Sequence, residues 1–132
     1  MGTEVEVVLR LLLAAALGAI IGYQRERADK PAGLRTHILI CVGAALFTVV
    51  SIYGFDTDDA ARVASGVVAG IGFLGAGAIL RSGEGIVGGL TTAATIWAVA
   101  GIGLAAGAGL YVVSAVATAI VLVVLFLPHH IR

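Results

Sequence analysis

The charged residues of this chain fall into short islands, and the apolar intervals between them run to the ~17–25 residues that a helix needs to cross about 30 Å of hydrocarbon. The spacing predicts five spans, near Val5–Tyr23, Leu34–Tyr53, Arg62–Leu80, Leu90–Ala106 and Gly109–Leu127. The fourth is the least defined, because Gly85, Gly88 and Gly89 blur its start and Gly101, Gly103, Gly107 and Gly109 its end; a four-span version treats it as partly re-entrant. Spanning strands need only ~9–11 residues of alternating polarity, so the expectation is an all-α integral membrane protein, one transmembrane domain over residues 1–132.

Composition agrees. The 132 residues are 60% hydrophobic and 12% charged, where soluble domains carry ~45–50% and ~25%. A soluble fold of this size cannot hide that much apolar surface. Eight basic and eight acidic residues leave no net charge, which argues against an electrostatic nucleic-acid binder. The single cysteine, Cys41, excludes an intramolecular disulfide and reads as a small packing residue inside an apolar run. The first apolar stretch reads as a permanent span and not a cleaved signal, since Glu4 and Glu6 stand where a signal carries positive charge and Arg10 interrupts the run.

Basic residues in the connections set the expected orientation. Arg25, Arg27, Lys30 and Arg35 surround the first connection, Arg81 opens the third and Arg132 ends the chain. The amino terminus holds Glu4 and Glu6, and the second connection Asp56, Asp58, Asp59 and only Arg62. Five spans with the basic connections inside give N-out, C-in.

No Walker loop or nucleophile elbow occurs, and Gly70-Ile-Gly72-Phe-Leu-Gly75 matches a dinucleotide fingerprint only literally, mid-span and without a preceding strand. An enzyme is not expected; no catalytic residue, metal ligand or cofactor is assigned. Glycine is the louder signal. Gly18-x-x-x-Gly22, Gly66-x-x-x-Gly70 and Gly103-x-x-x-Gly107 permit close backbone approach between helices in lipid. In the third span Gly66, Gly70 and Gly77 fall on one face and Gly72 and Gly75 on others. That span is expected to sit centrally among protein neighbours, the alternative being a broken helix at Gly70–Gly77 that exposes backbone to a substrate. Such abundant small faces also suggest a homodimer.

Arg10, about two turns into the first span, shares a face with Ala14, Leu17 and Ile21. Either it snorkels outward and pairs with Glu6, or it joins a polar cluster with an acid of the second connection. Between the first two spans, Pro31 and Gly33 set a turn and Arg35, Thr36 and His37 open the next helix. His37 is a local hydrogen-bonding residue or a proton-sensitive switch. His129 and His130 are adjacent and diverge on a helix, which argues against a metal clamp.

Four blocks, Ile21-Gly-Tyr-Gln-Arg-Glu26, Lys30-Pro-Ala-Gly-Leu-Arg-Thr-His37, Gly70-Ile-Gly-Phe-Leu-Gly-Ala-Gly77 and Gly89-Leu-Thr-Thr-Ala-Ala-Thr-Ile-Trp97, make the sequence resemble the membrane domain of the MgtC/SapB family. The resemblance implies a bacterial inner-membrane protein linked to growth at low magnesium and, in pathogens, to intracellular survival and virulence. It implies modulation of other membrane machinery, including the ATP synthase. By position it points to Arg10, Arg25, Glu26, Lys30, Pro31, Arg35, Thr36, His37, Asp59, Arg62, Thr91 and Thr92. Gln24, Ala60 and Gly66 depart from the family pattern and each removes a polar or stiffening group. Relatives of the virulence-factor type continue into a cytoplasmic domain, so this sequence is expected to be a short member or one lacking that domain.

Two functions remain open, a regulatory or interaction protein of the membrane and a small cation transporter or channel. Transport of Mg²⁺ calls for oxygen ligands converging at mid-membrane, and no Asp or Glu lies in the middle third of any expected span. This favours the regulatory reading, with the lipid bilayer, a second copy or another membrane protein as partner and the basic turn facing machinery or anionic lipid.

Overall fold

The computed structural model describes residues 2–55, 59–81 and 85–128, with the backbone alone at residues 81 and 85–87. Asp56, Asp58, His129, His130 and Arg132, singled out above, lie outside the described residues. The chain forms five helices, α1 (Gly2–Arg27), α2 (Leu34–Tyr53), α3 (Ala60–Arg81), α4 (Gly85–Gly107) and α5 (Tyr111–Leu125). No strand occurs among the described residues. The protein is an all-α, multi-pass membrane protein, in which α1 to α4 each carry an apolar stretch long enough to cross a bilayer.

Two spans differ from expectation. The weakly marked fourth is a continuous helix of 23 residues, and α5 has only 15, about 22 Å of rise. The reason lies at the α4–α5 turn. Leu110 N–H bonds to the Ala105 carbonyl and Gly109 N–H to that of Ala106, with Gly109 at φ +84°, a Schellman ending that stops α4 at Gly107 and delays α5 to Tyr111. At the far end Phe126 and Leu127 leave the helix ahead of Pro128. The same ending closes α1, where Lys30 N–H reaches Arg25 and Asp29 N–H reaches Glu26. There the left-handed residue is Asp29, at φ 62°.

Helices α1, α2 and α4 pack on one another, α3 lies against α2 and α4, and α5 against α1 and α4. The hub is therefore α4, not the third helix as expected. Packing in lipid comes from close contact of surfaces, without a hydrophobic drive between helices, and the small residues of α1 and α4 supply it. A Cβ at Gly18 would stand 2.7 Å from the His37 carbonyl oxygen, at Gly22 2.8 Å from Leu34 Cα, and at Gly107 2.6 Å from the Ala45 carbonyl oxygen. At Gly103 it would run into the carbonyl of Cys41. Ala14, Cys41, Ala45, Val99 and Ala106 are fully buried between these approaches.

The α3 glycines behave differently. Added Cβ atoms at Gly66, Gly70, Gly72 and Gly77 would meet nothing within 4 Å, and at Gly75 only Ala93 at an ordinary 3.5 Å. Helix α3 is unbroken through Gly70–Gly77 and turns Phe73 and Leu80, 85% and 83% exposed, outward. It is a peripheral helix whose glycine face borders an open groove of about 520 Å³ against Leu39, Gly43 and Phe47 of α2.

Candidate functional site

Two polar clusters sit at opposite ends of the α1–α2–α4 bundle. At the end holding the α1 amino terminus, Arg10 is 12% exposed and its Nε donates to Glu6 Oε2 at 3.0 Å. Helical spacing of four residues makes that pair. Arg10 Nη1 donates to the Gly107 carbonyl at 3.0 Å, one of the carbonyls that the end of α4 leaves without an intrahelical partner. A cation at a helix C-terminus is also favoured by the dipole. Tyr111, the first residue of α5, donates its hydroxyl to Glu6, and the Tyr53 ring at the end of α2 lies 5.5 Å from the guanidinium carbon. One arginine thereby ties four helices together.

Of the two readings for Arg10, the pairing with Glu6 is the one present. The cluster it joins is built from Tyr111, Gly107 and Tyr53; it takes no described acid of the second connection, since Asp59 pairs instead with Arg62 at 3.4 Å. That pair is exposed on both sides, so it contributes little to stability. Sequence reasoning missed Tyr53, Tyr111 and Gly109 as site residues; for the last two the available signal was the string Gly107-Ala-Gly-Leu-Tyr111, a helix ending with a tyrosine two residues beyond its glycine.

At the other end, Arg25 is buried and its Nη2 donates to Thr92 Oγ1 of α4 at 3.3 Å. His37, fully buried, sets its Nδ1 2.8 Å from the Gly33 carbonyl. This leaves Nε2 as the lone-pair nitrogen, without a hydrogen-bond partner among the described residues. The local hydrogen-bonding reading of His37 is thus the geometry seen. Glu26 has a role that the sequence did not disclose. Its Oε1 accepts from Leu34 N–H at 3.0 Å, so a carboxylate from α1 caps the α2 amino terminus across the turn.

The remaining motif residues lie around this end. Pro31, Thr36 and Ala32 line a shallow crevice of about 290 Å³ with Ala78 of α3 and Ile96 of α4. Lys30 is half-buried, Arg35 and Thr36 are exposed, and the Thr91 carbonyl accepts from Thr95 Oγ1 at 2.8 Å.

Between the two clusters the bundle interior is Cys41, Ala45, Val99 and Ala100. The buried hydroxyls beyond it mostly turn back onto their own helices, Thr48 to Ala44, Thr118 to Ser114 and Ser114 to Tyr111, all within 2.9 Å. Among the described residues no three His, Cys, Asp or Glu side chains gather as a metal site.

The family model for the MgtC family matches residues 11–132. The chain is 46% identical to the Escherichia coli K12 protein called "Putative magnesium transporter YhiD", over 96% of this chain and 62% of that one. It is 40% identical to Protein SapB of Bacillus subtilis, over 96% and 59%, and 47% identical to Protein MgtC of Salmonella typhimurium LT2, over 87% and 49%. It thus spans about half to three-fifths of the length of these curated relatives. No solved structure matches it.

Proposed function

The chain belongs to the MgtC family, and from the placement of its charges we propose that it is a bacterial inner-membrane protein that supports adaptation to low magnesium by modulating other membrane machinery, without catalysis. Magnesium comes into the reading through the name of the Escherichia coli relative. The ATP synthase is the partner class that the resemblance suggests, and virulence in pathogens is its corollary.

The observation that carries modulation over conduction is the pair of guanidiniums, Arg10 and Arg25, held one at each end of the bundle. A dication entering between α1, α2 and α4 meets a guanidinium fixed across either mouth, that of Arg10 paired with Glu6 and that of Arg25 held on Thr92, and arginines so placed oppose the passage of cations. Further in, it finds Cys41, Ala45 and Val99, whereas Mg²⁺ wants oxygen ligands and gives up its waters reluctantly. The transporter reading keeps one support, the name of that same relative.

Purified protein in liposomes separates the two. The regulatory reading expects no Mg²⁺ flux above empty vesicles, together with poor growth of a deletion strain when magnesium is scarce and recovery with the intact chain. Saturable flux that depends on the protein overturns it.

A further inference from the structure

We propose that the rim around Tyr23, Arg27 and Arg35 binds the phosphate headgroup of an anionic phospholipid. The described arginines divide in two. Arg10 and Arg62 pair with Glu6 and Asp59, and Arg25 is buried against Thr92. Arg27 and Arg35 are exposed, and neither makes a hydrogen bond or ion pair among the described residues; the one contact of Arg27 is with the Tyr23 ring, 5.9 Å from its guanidinium carbon. The nearby acids do not neutralise them. Glu26 is committed to the α2 amino terminus at Leu34, and Asp29 forms no ion pair among the described residues while occupying the left-handed position of the turn, at φ 62°.

Depth selects a lipid over a free anion. Tyr23 is 57% exposed where the apolar run of α1 ends, the level at which aromatic rings mark the membrane interface. Arg27 lies one turn further on, about 6 Å toward water. Leu34 packs directly against Gly22 and His37 against Gly18, so the two helices run antiparallel and Arg35, the residue after Leu34, starts about 3 Å on the membrane side of Tyr23. The two guanidiniums therefore flank the boundary where lipid phosphates lie, each a planar fork suited to bidentate phosphate contact.

The test is native mass spectrometry of the full chain from micelles holding equal phosphatidylglycerol and phosphatidylcholine, which share the phosphodiester and differ in net charge. Retention of phosphatidylglycerol should exceed that of phosphatidylcholine by roughly twenty-five-fold, about five-fold from each arginine. The preference should collapse in Arg27→Gln/Arg35→Gln and persist in Arg62→Gln, whose cation belongs to the other end of the bundle. In the unaltered chain it should also fade at about 1 M salt, where screening acts over ~3 Å, a readout independent of whether the variants fold. Equal retention of the two lipids, a preference that survives the double substitution or high salt, or displacement of phosphatidylglycerol by inorganic phosphate would overturn the proposal.

Discussion

Helices α3 and α4 carry the same kind of glycine pattern and use it in opposite ways. Gly103 and Gly107 of α4 press against the backbone of α2 at Cys41 and Ala45, while Gly66 and Gly70 of α3, at the same spacing of four, face open space. Small residues permit a close approach between helices; they do not require one. The neighbour decides. Helix α2 offers α4 an equally small face, Cys41, Ala44 and Ala45, and the α2 face beside α3 carries Leu39 and Phe47, which hold the two helices apart and leave the groove.

The largest expected effect follows at the tightest approach. Gly103→Leu has no space to enter without separating α2 from α4, so it should cost more than ~3 kcal/mol, read as loss of the folded species in size-exclusion chromatography and circular dichroism. A folded Gly103→Leu protein of unaltered stability would break the contrast.

Next comes Arg10→Ala, which strips a charged donor from the Gly107 carbonyl and should lower stability by about 1–2 kcal/mol. Detergent-unfolding midpoints measure it. Arg10→Lys should restore only part, because an ammonium lacks the fork that reaches Glu6 and Gly107 together, and full restoration would reduce Arg10 to a simple charge.

The two helix endings sharpen the comparison at smaller scale. Gly109→Ala forces a side chain into φ +84° beside Arg10 and should cost about 1 kcal/mol. Asp29→Gly, at the equivalent position of the other turn, should raise stability by a few tenths. A Gly109→Ala protein of unaltered stability, or an Asp29→Gly protein less stable than the parent, measured in the same unfolding series, would refute the assignment of both as Schellman endings.

Much of the architecture was legible because lipid makes it so. Charge islands and apolar intervals located all five helices, and α2 falls on its expected bounds. Which helix is central was not legible, since the α3 and α4 patterns are alike as strings and differ only in what lies across from them. At the sites, the Glu6–Arg10 spacing announced its own pair, as i,i+4 spacing on one helix does. The partners of that pair on α2, α4 and α5 are more than 40 residues away in the chain, and nothing local to Arg10 marks them. Glu26 was singled out by resemblance, yet its work at the α2 amino terminus depends on how Lys30–Gly33 folds back, a tertiary fact.

The central claim is that α1, α2 and α4 form the locked bundle and α3 its open rim. Parallel unfolding of Gly107→Ala and Gly70→Ala tests it most directly, since each adds one methyl group at a glycine of the same motif spacing. Gly107→Ala should lose about 1–3 kcal/mol to overpacking against Ala45, and Gly70→Ala should hold its stability or gain up to ~1 kcal/mol from helix propensity. Equal losses at both positions, or a greater loss at Gly70, would contradict the account.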